Sequence, residues 1–193
     1  MFRSRDHGWV EVICGPMFSG KSEELIRRVT RVRIARRPVQ VFKPELDDRY
    51  SETEVVSHSS LSVRAEPVPD SAALLALVDD DTQVVGVDEA QFFDQGLVEV
   101  AEHLARSGRQ VIVAGLDLDY LGRPFEPVPT LVGRAEYVTK ALAVCVRCGD
   151  PANFTQRTVA GGELVVLGAT ESYEARCRRC WDPTEPEQPT LDV

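Results

Sequence analysis

The apolar run Val10-Glu11-Val12-Ile13-Cys14 passes directly into Gly15-Pro16-Met17-Phe18-Ser19-Gly20-Lys21-Ser22. Leu25, Ile26, Val29, Val32 and Ile34 then recur at helical spacing as far as about Arg36. A strand, a turn of the form G-x-x-x-x-G-K-[ST] and a helix constrain the fold more tightly than any other feature of the chain. The glycines let the backbone curl so that successive N–H groups face phosphate oxygens. Lys21 brings a compact positive charge to the β- and γ-phosphates, and the Ser22 hydroxyl can ligate Mg²⁺. The helix that starts here adds the partial positive charge of its N-terminus. Only three lysines (Lys21, Lys43 and Lys140) stand against nineteen arginines, so compositional accident is a poor account of a lysine at this position.

Further strands are expected at Val39–Lys43, at Val84–Val87 and at Val111–Gly115. Helices are expected at Ser71–Val78, with Ser71 as N-cap, and at Leu97–Ala105, with Gly108 as the stop. This alternation predicts an α/β fold, a P-loop NTPase core whose mostly parallel sheet is flanked by helices. Pro124, Pro127 and Pro129 read as an extended loop. The strand Val84–Val87 ends in Asp88-Glu89, the form of a Walker B element. Asp88 is placed to orient Mg²⁺ and Glu89 to act as general base, the alternatives being a helix N-cap and a solvated loop acid.

The five cysteines are Cys14, set in an apolar strand as a small buried residue, and two C-x-x-C pairs. Cys145, Cys148, Cys177 and Cys180 supply four thiolates, enough for a closed tetrahedral Zn²⁺ site that is structural rather than catalytic. The pairs are 28 residues apart, longer than the roughly 15–20 common in such sites. The intervening chain can form a hairpin turning at Gly161-Gly162. A redox C-x-x-C is the alternative. The boundaries drawn are 1–142 for the core, 143–181 for a small zinc-ribbon-like β lobe and 182–193 for a disordered acidic tail.

With both sites placed, the sequence resembles the type II thymidine kinase family, whose members join a RecA-like core to a zinc lobe. The resemblance runs from about Val10 to Trp181. It rests on Gly15–Ser22, Asp48-Arg49-Tyr50-Ser51, Asp88-Glu89-Ala90-Gln91-Phe92-Phe93, Leu116-Asp117, Arg123-Pro124-Phe125 and the two cysteine pairs. It implies transfer of the γ-phosphate of ATP to the 5′-hydroxyl of thymidine, with deoxyuridine also accepted. Glu89 matches the general base, and Lys21 and Arg49 match cations that stabilise the transferring phosphoryl group. Gly15 to Ser22 and Asp88 to Gln91 match the nucleotide-binding segments, with Ser22 and Asp88 near Mg²⁺ and Asp47 as a further contributor. Met17, Phe92, Leu116 and Tyr120 match positions around the thymine ring. Thr155 and Tyr173 match the lasso, a loop between the cysteine pairs that closes over the base, where Glu171 and Ser172 can vary. The alternative readings are core residues for Met17 and Phe92 and a surface aromatic for Tyr120.

The family further implies a homotetramer and feedback inhibition by dTTP. Tyr120 stands where many relatives carry phenylalanine, and Asp117-Leu118-Asp119 is unexpectedly acidic beside a neutral sugar. Glu52 to Ala65, with His58, carries no assignment. A net charge of −9 argues against a nucleic-acid partner. The basic cluster Arg27, Arg28, Arg31, Arg33, Arg36 and Arg37 is then a solvated helix face near the phosphate site. The N-terminal residues lack an apolar leader and no apolar run approaches a membrane span, so a cytoplasmic enzyme is expected. Two rivals remain: a nucleoside-monophosphate kinase with a four-cysteine lid, and a RecA-like ATPase with a zinc ribbon on DNA.

Overall fold

The structure is a computed structural model that describes residues 7–45, 54–56, 62–159 and 172–184. Asp47, Asp48, Arg49, Tyr50, Ser51, His58, Gly161, Gly162, Glu171 and residues 185–193 lie outside the described residues.

A six-stranded, wholly parallel sheet forms the centre. Its strands are β1 (Trp9–Cys14), β2 (Val39–Pro44), β5 (Glu66–Val68), β6 (Val84–Val87), β7 (Gln110–Gly115) and β8 (Tyr137–Lys140). They lie in the order β5-β2-β6-β7-β1-β8. The strands are apolar almost throughout because both faces are covered. Side chains alternate between two cores. Val10, Val12, Phe42, Val85, Val87, Val111 and Val113 meet α2 (Ser71–Leu77), α3 (Gly96–Arg106) and α4 (Val128–Arg134) on one face. Ile13, Val41, Val84, Ile112 and Ala114 meet Leu25, Ile26, Val29 and Val32 of α1 (Lys21–Ile34) on the other. The period of two on the strands and the 3.6-residue period on α1 thus interlock.

Several boundaries differ from expectation. The N-cap of α2 is Asp70, whose carboxylate accepts from the Ala73 amide at 2.7 Å. Ser71 is instead buried and bonded, through both its amide and its hydroxyl, to the Asp94 carboxylate. Asp70 wins because its extended backbone aims its side chain at the orphan amides, while Ser71 already has helical placement. The proline-rich segment is not all loop, since α4 begins at Val128 and takes Pro129 into its first turn, where a missing N–H costs nothing. Helix α3 ends as expected, with Gly108 at φ 90° beyond its cap.

A short antiparallel pair, β3 (Glu54–Val56) with β4 (Ser62–Arg64), precedes β5. After β8 the chain leaves the sheet. β9 (Ala143–Val144) pairs with β10 (Pro151–Ala152), and β11 (Phe154–Arg157) pairs with β12 (Tyr173–Arg176), both antiparallel. The cluster under these strands is Ala143, Cys145, Ala152, Ala175 and Cys177. Alanine buries about one methyl, of order 0.8 kcal/mol each, so burial alone holds this part weakly. The cysteines must supply the rest. No helix among the described residues is long and apolar enough to cross a membrane.

Candidate active site

Every candidate core residue among those described sits at the carboxyl ends of the parallel strands, where α/β sheets bind ligands. Gly15 follows β1 at φ 145°, and a Cβ there would lie 2.2 Å from the Ala141 carbonyl oxygen. Only glycine lets the loop pass so close to the chain leaving β8. Phe18 also adopts a positive φ, of 65°, and Gly20, in the left-handed region, caps α1. Within the loop, the Ser19 hydroxyl and the Lys21 ammonium both donate to the Pro16 carbonyl, at 2.8 and 2.7 Å.

Asp88 follows β6 and is almost wholly buried. The Ser22 hydroxyl and the Glu89 amide both donate to its carboxylate, the latter at 3.0 Å. Burial first, and the Glu89 charge second, push this carboxyl up to about 7 against the pull of those bonds and of Lys21. The helix N-cap alternative for Asp88 is not what the structure shows, because its side chain faces Ser22 and the Glu89 amide. A carboxylate and a hydroxyl brought together where negative charge is disfavoured form the hard-oxygen donor set that Mg²⁺ takes, and the cation would relieve the desolvated charge.

Glu89 is held in the left-handed region, at φ 49° and ψ 42°. A non-glycine residue there costs roughly 1–2 kcal/mol, so the surroundings must impose it. Gln91, buried in the 3-10 turn Ala90–Phe92, shows how. Its amide nitrogen donates to Glu89 Oε2 at 2.5 Å, while its carbonyl accepts from the Leu116 amide at 2.9 Å. Ala90 is fully buried behind them. Phe92 meets Phe125 edge-on at 6.3 Å and is only partly buried, so it is not a core residue.

Thr155 and Tyr173 lie on β11 and β12. The Thr155 hydroxyl accepts from the Met17 amide at 3.0 Å, so the cysteine-bearing part is tied to the phosphate loop itself. Tyr120 is mostly buried, its ring 5.1 Å from the Arg157 guanidinium. The acids that looked out of place beside a sugar are occupied internally. Asp117 pairs with Lys140, and Asp119 Oδ1 accepts from the Leu121 and Arg123 amides at 2.9 and 2.8 Å. Sequence reading missed Lys140 and Gln91's link to Leu116, since both depend on contacts distant in the chain. Cys14 is a buried thiol, raised by burial and then by Asp117, as its apolar setting predicted. The basic face of α1 is partly consumed by Glu24 and Glu11, which Arg28 bridges at 2.8 and 2.7 Å.

The four paired cysteines come together with all their sulfurs within 4.8 Å of one another. Cys148 lies 3.5 Å from Cys177 and 3.7 Å from Cys180. Tetrahedral Zn–S bonds of about 2.3 Å place sulfurs about 3.8 Å apart, so the cluster fits zinc. Crowding drives the thiols in opposite directions. Burial raises Cys145, but the amides of Cys177, Arg147 and Cys148 outweigh it and bring the thiol down to about 6. The Asp150 amide lowers Cys148, yet burial and the surrounding sulfurs push it up to about 12. Four such sulfurs ionise together only around a cation.

A parallel sheet, a phosphate loop, a buried acid beside it and a cluster of four cysteines able to hold a metal define a P-loop nucleotide-binding protein. The family model for thymidine kinase matches residues 8–181. A thymidine kinase of Rhodothermus sp. (strain ITI 518) is 58% identical over 179 residues, covering 93% of this chain and 84% of the relative. The chain therefore belongs to the thymidine kinase family and is a phosphate-transferring enzyme.

Proposed function

We propose that this enzyme transfers the γ-phosphoryl group of ATP to the 5′-hydroxyl of thymidine, and of deoxyuridine, with Glu89 as general base. The observation that carries the reading is the placement of Glu89: one residue beyond the buried Asp88, strained into the left-handed region and hydrogen-bonded to Gln91. A base so anchored keeps one carboxylate oxygen aimed where a nucleoside hydroxyl would meet the phosphate loop. Gly15 to Ser22 cradle the triphosphate, and Lys21 neutralises charge on the group in flight. Ser22 and Asp88 would hold Mg²⁺, which would supply positive charge to offset that of the phosphates. Arg49, outside the described residues, is assigned the second cation. Met17, Phe92, Leu116, Tyr120, Thr155 and Tyr173 surround the base, and closure by the lasso excludes water that would otherwise hydrolyse ATP.

The division into core, zinc lobe and tail belongs to the same reading, as do the homotetramer, dTTP feedback and the cytoplasm. Two separate small sheets beyond β8 support the lobe. An edge strand exposed along its length, with Tyr137 and Val138 on it and Ile34 bare on α1, supports subunit association. The nucleoside-monophosphate kinase alternative is disfavoured by the family match and by the acid pair, which suits a hydroxyl acceptor better than a phosphate. Glu89→Gln tests the mechanism: it is expected to bind ATP normally and to lose about 10²–10⁴ in kcat. Turnover like that of the native enzyme would remove Glu89 from the chemistry.

A further inference from the structure

Trp181 follows the second cysteine pair and makes contacts that have no part in holding a metal. Its ring stacks on Phe154, with centroids 4.3 Å apart and planes 12° from parallel. Its indole N–H donates to the Tyr120 carbonyl at 3.3 Å. Gly122, at φ 72°, packs against the ring so closely that a Cβ there would stand 2.6 Å from the Trp181 ring edge.

Both ends of this contact are stiff. On the lobe side, the Trp181 and Cys180 amides donate to the Cys177 carbonyl at 2.9 and 3.0 Å, and the Asp182 amide donates to the Gln156 side chain at 2.8 Å. The indole therefore inherits its position from the cysteine turn. On the core side, Asp119 gathers the Leu121 and Arg123 amides with one carboxylate oxygen. Further bonds run from the Gly122 amide to the Asp119 carbonyl and from the Phe125 amide to the Asp117 carbonyl, both 3.0 Å. The same loop carries Tyr120 and is rooted at Leu116, which is bonded to Gln91. Phe154, stacked on the indole, precedes Thr155, the partner of the Met17 amide.

We infer that Trp181 is a positioning residue: through it the cysteine turn, organised by its metal, fixes the 117–125 loop and hence the nucleoside pocket. The inference rests on the proposed reading of Leu116 and Tyr120 as pocket residues. Removing the metal loosens the turn, frees the indole and releases the Tyr120 carbonyl, so nucleoside affinity falls further than ATP affinity, which the same strands touch through the Thr155–Met17 bond.

The chain has two tryptophans, so Trp9→Phe leaves Trp181 as the sole indole reporter. In that background, chelating zinc is expected to shift Trp181 emission to the red and weaken thymidine binding, measured at equilibrium, about tenfold. ATP binding should weaken less, reflecting the Thr155–Met17 bond alone. Trp181→Ala in the zinc-loaded enzyme should raise the thymidine KM about tenfold, equivalent to about 1.4 kcal/mol, with zinc content and the ATP KM intact. Trp181→Phe, which keeps the stack and loses the N–H, should fall between, and it carries the test if the alanine variant does not fold. Gly122→Ala should raise the thymidine KM alone but add little on top of Trp181→Ala, because the two act through one contact. Full additivity, an unchanged KM in Trp181→Ala, or emission indifferent to zinc would overturn the inference. Leu116→Ala and Tyr120→Ala examine the pocket separately: if neither alters thymidine affinity, the pocket assignment fails, while the metal-dependent emission still reports the coupling.

Discussion

Gly15 and Glu89 hold backbone conformations that their neighbours dictate, and those conformations carry the chemistry. At Gly15 a side chain would run into the Ala141 carbonyl, and at φ 145° any other residue is strained as well. Gly15→Ala is expected to weaken ATP binding at least tenfold, the equivalent of about 1.4 kcal/mol, measured by titration calorimetry, with the sheet intact by circular dichroism. Normal ATP affinity would mean that the loop needs no such close approach. The types of Gly15, Lys21, Ser22, Asp88 and the four cysteines were legible in the sequence because phosphate, Mg²⁺ and zinc each demand particular donors at particular spacings. Gln91's bridge from Glu89 to Leu116 was not, because it joins residues 25 positions apart. The acidity at Asp119 has a local explanation: its charge is spent on the turn it sits in.

Helix α1 links the phosphate loop to the sheet and concentrates the ion pairs. Glu24, in its first turn, pairs with Arg27 and Arg28 and lies where a negative charge suits the helix N-terminus. The hydrogen bond from Arg27, opposed by some burial and joined by that from Arg28, brings its carboxyl from 4.5 down to about 2. A carboxylate lowered on folding contributes stability that is complete above its unfolded value and lost as pH falls through the folded one. The urea midpoint should therefore drop between about pH 4.5 and pH 2, and Glu24→Gln should flatten that part of the profile. An identical profile in the variant would show the pairs to be energetically silent. Strong periodicity made β1, α1, β6, α3 and β7 readable to within a residue or two. β8 escaped because all four of its residues are exposed, so no burial pattern marks it. α4 escaped because it is seven residues long and contains Pro129. β5 is three residues long, too short to carry a period.

At the scale of the molecule, the central sheet and the cysteine-bearing strands are held together by different means. The sheet is secured by two layers of branched and aromatic side chains, whereas the cysteine-bearing part has a core of alanines and thiols. Metal and inter-unit contacts therefore matter more there, and Thr155 on Met17 and Trp181 on Tyr120 carry them. The parallel architecture was evident from strand and helix alternation, and the four-cysteine cluster from the cysteine pairs. The way the two units engage was not, because it depends on hydroxyl, carbonyl and ring contacts with no local signature. This arrangement suits a kinase that must cover a small, neutral acceptor. The most direct test is phosphate transfer from ATP, with Mg²⁺, to thymidine, deoxyuridine, deoxycytidine, deoxyadenosine and thymidine monophosphate. The account predicts transfer to thymidine and deoxyuridine alone. Transfer to the monophosphate instead, or none from a folded, zinc-loaded enzyme, would contradict it.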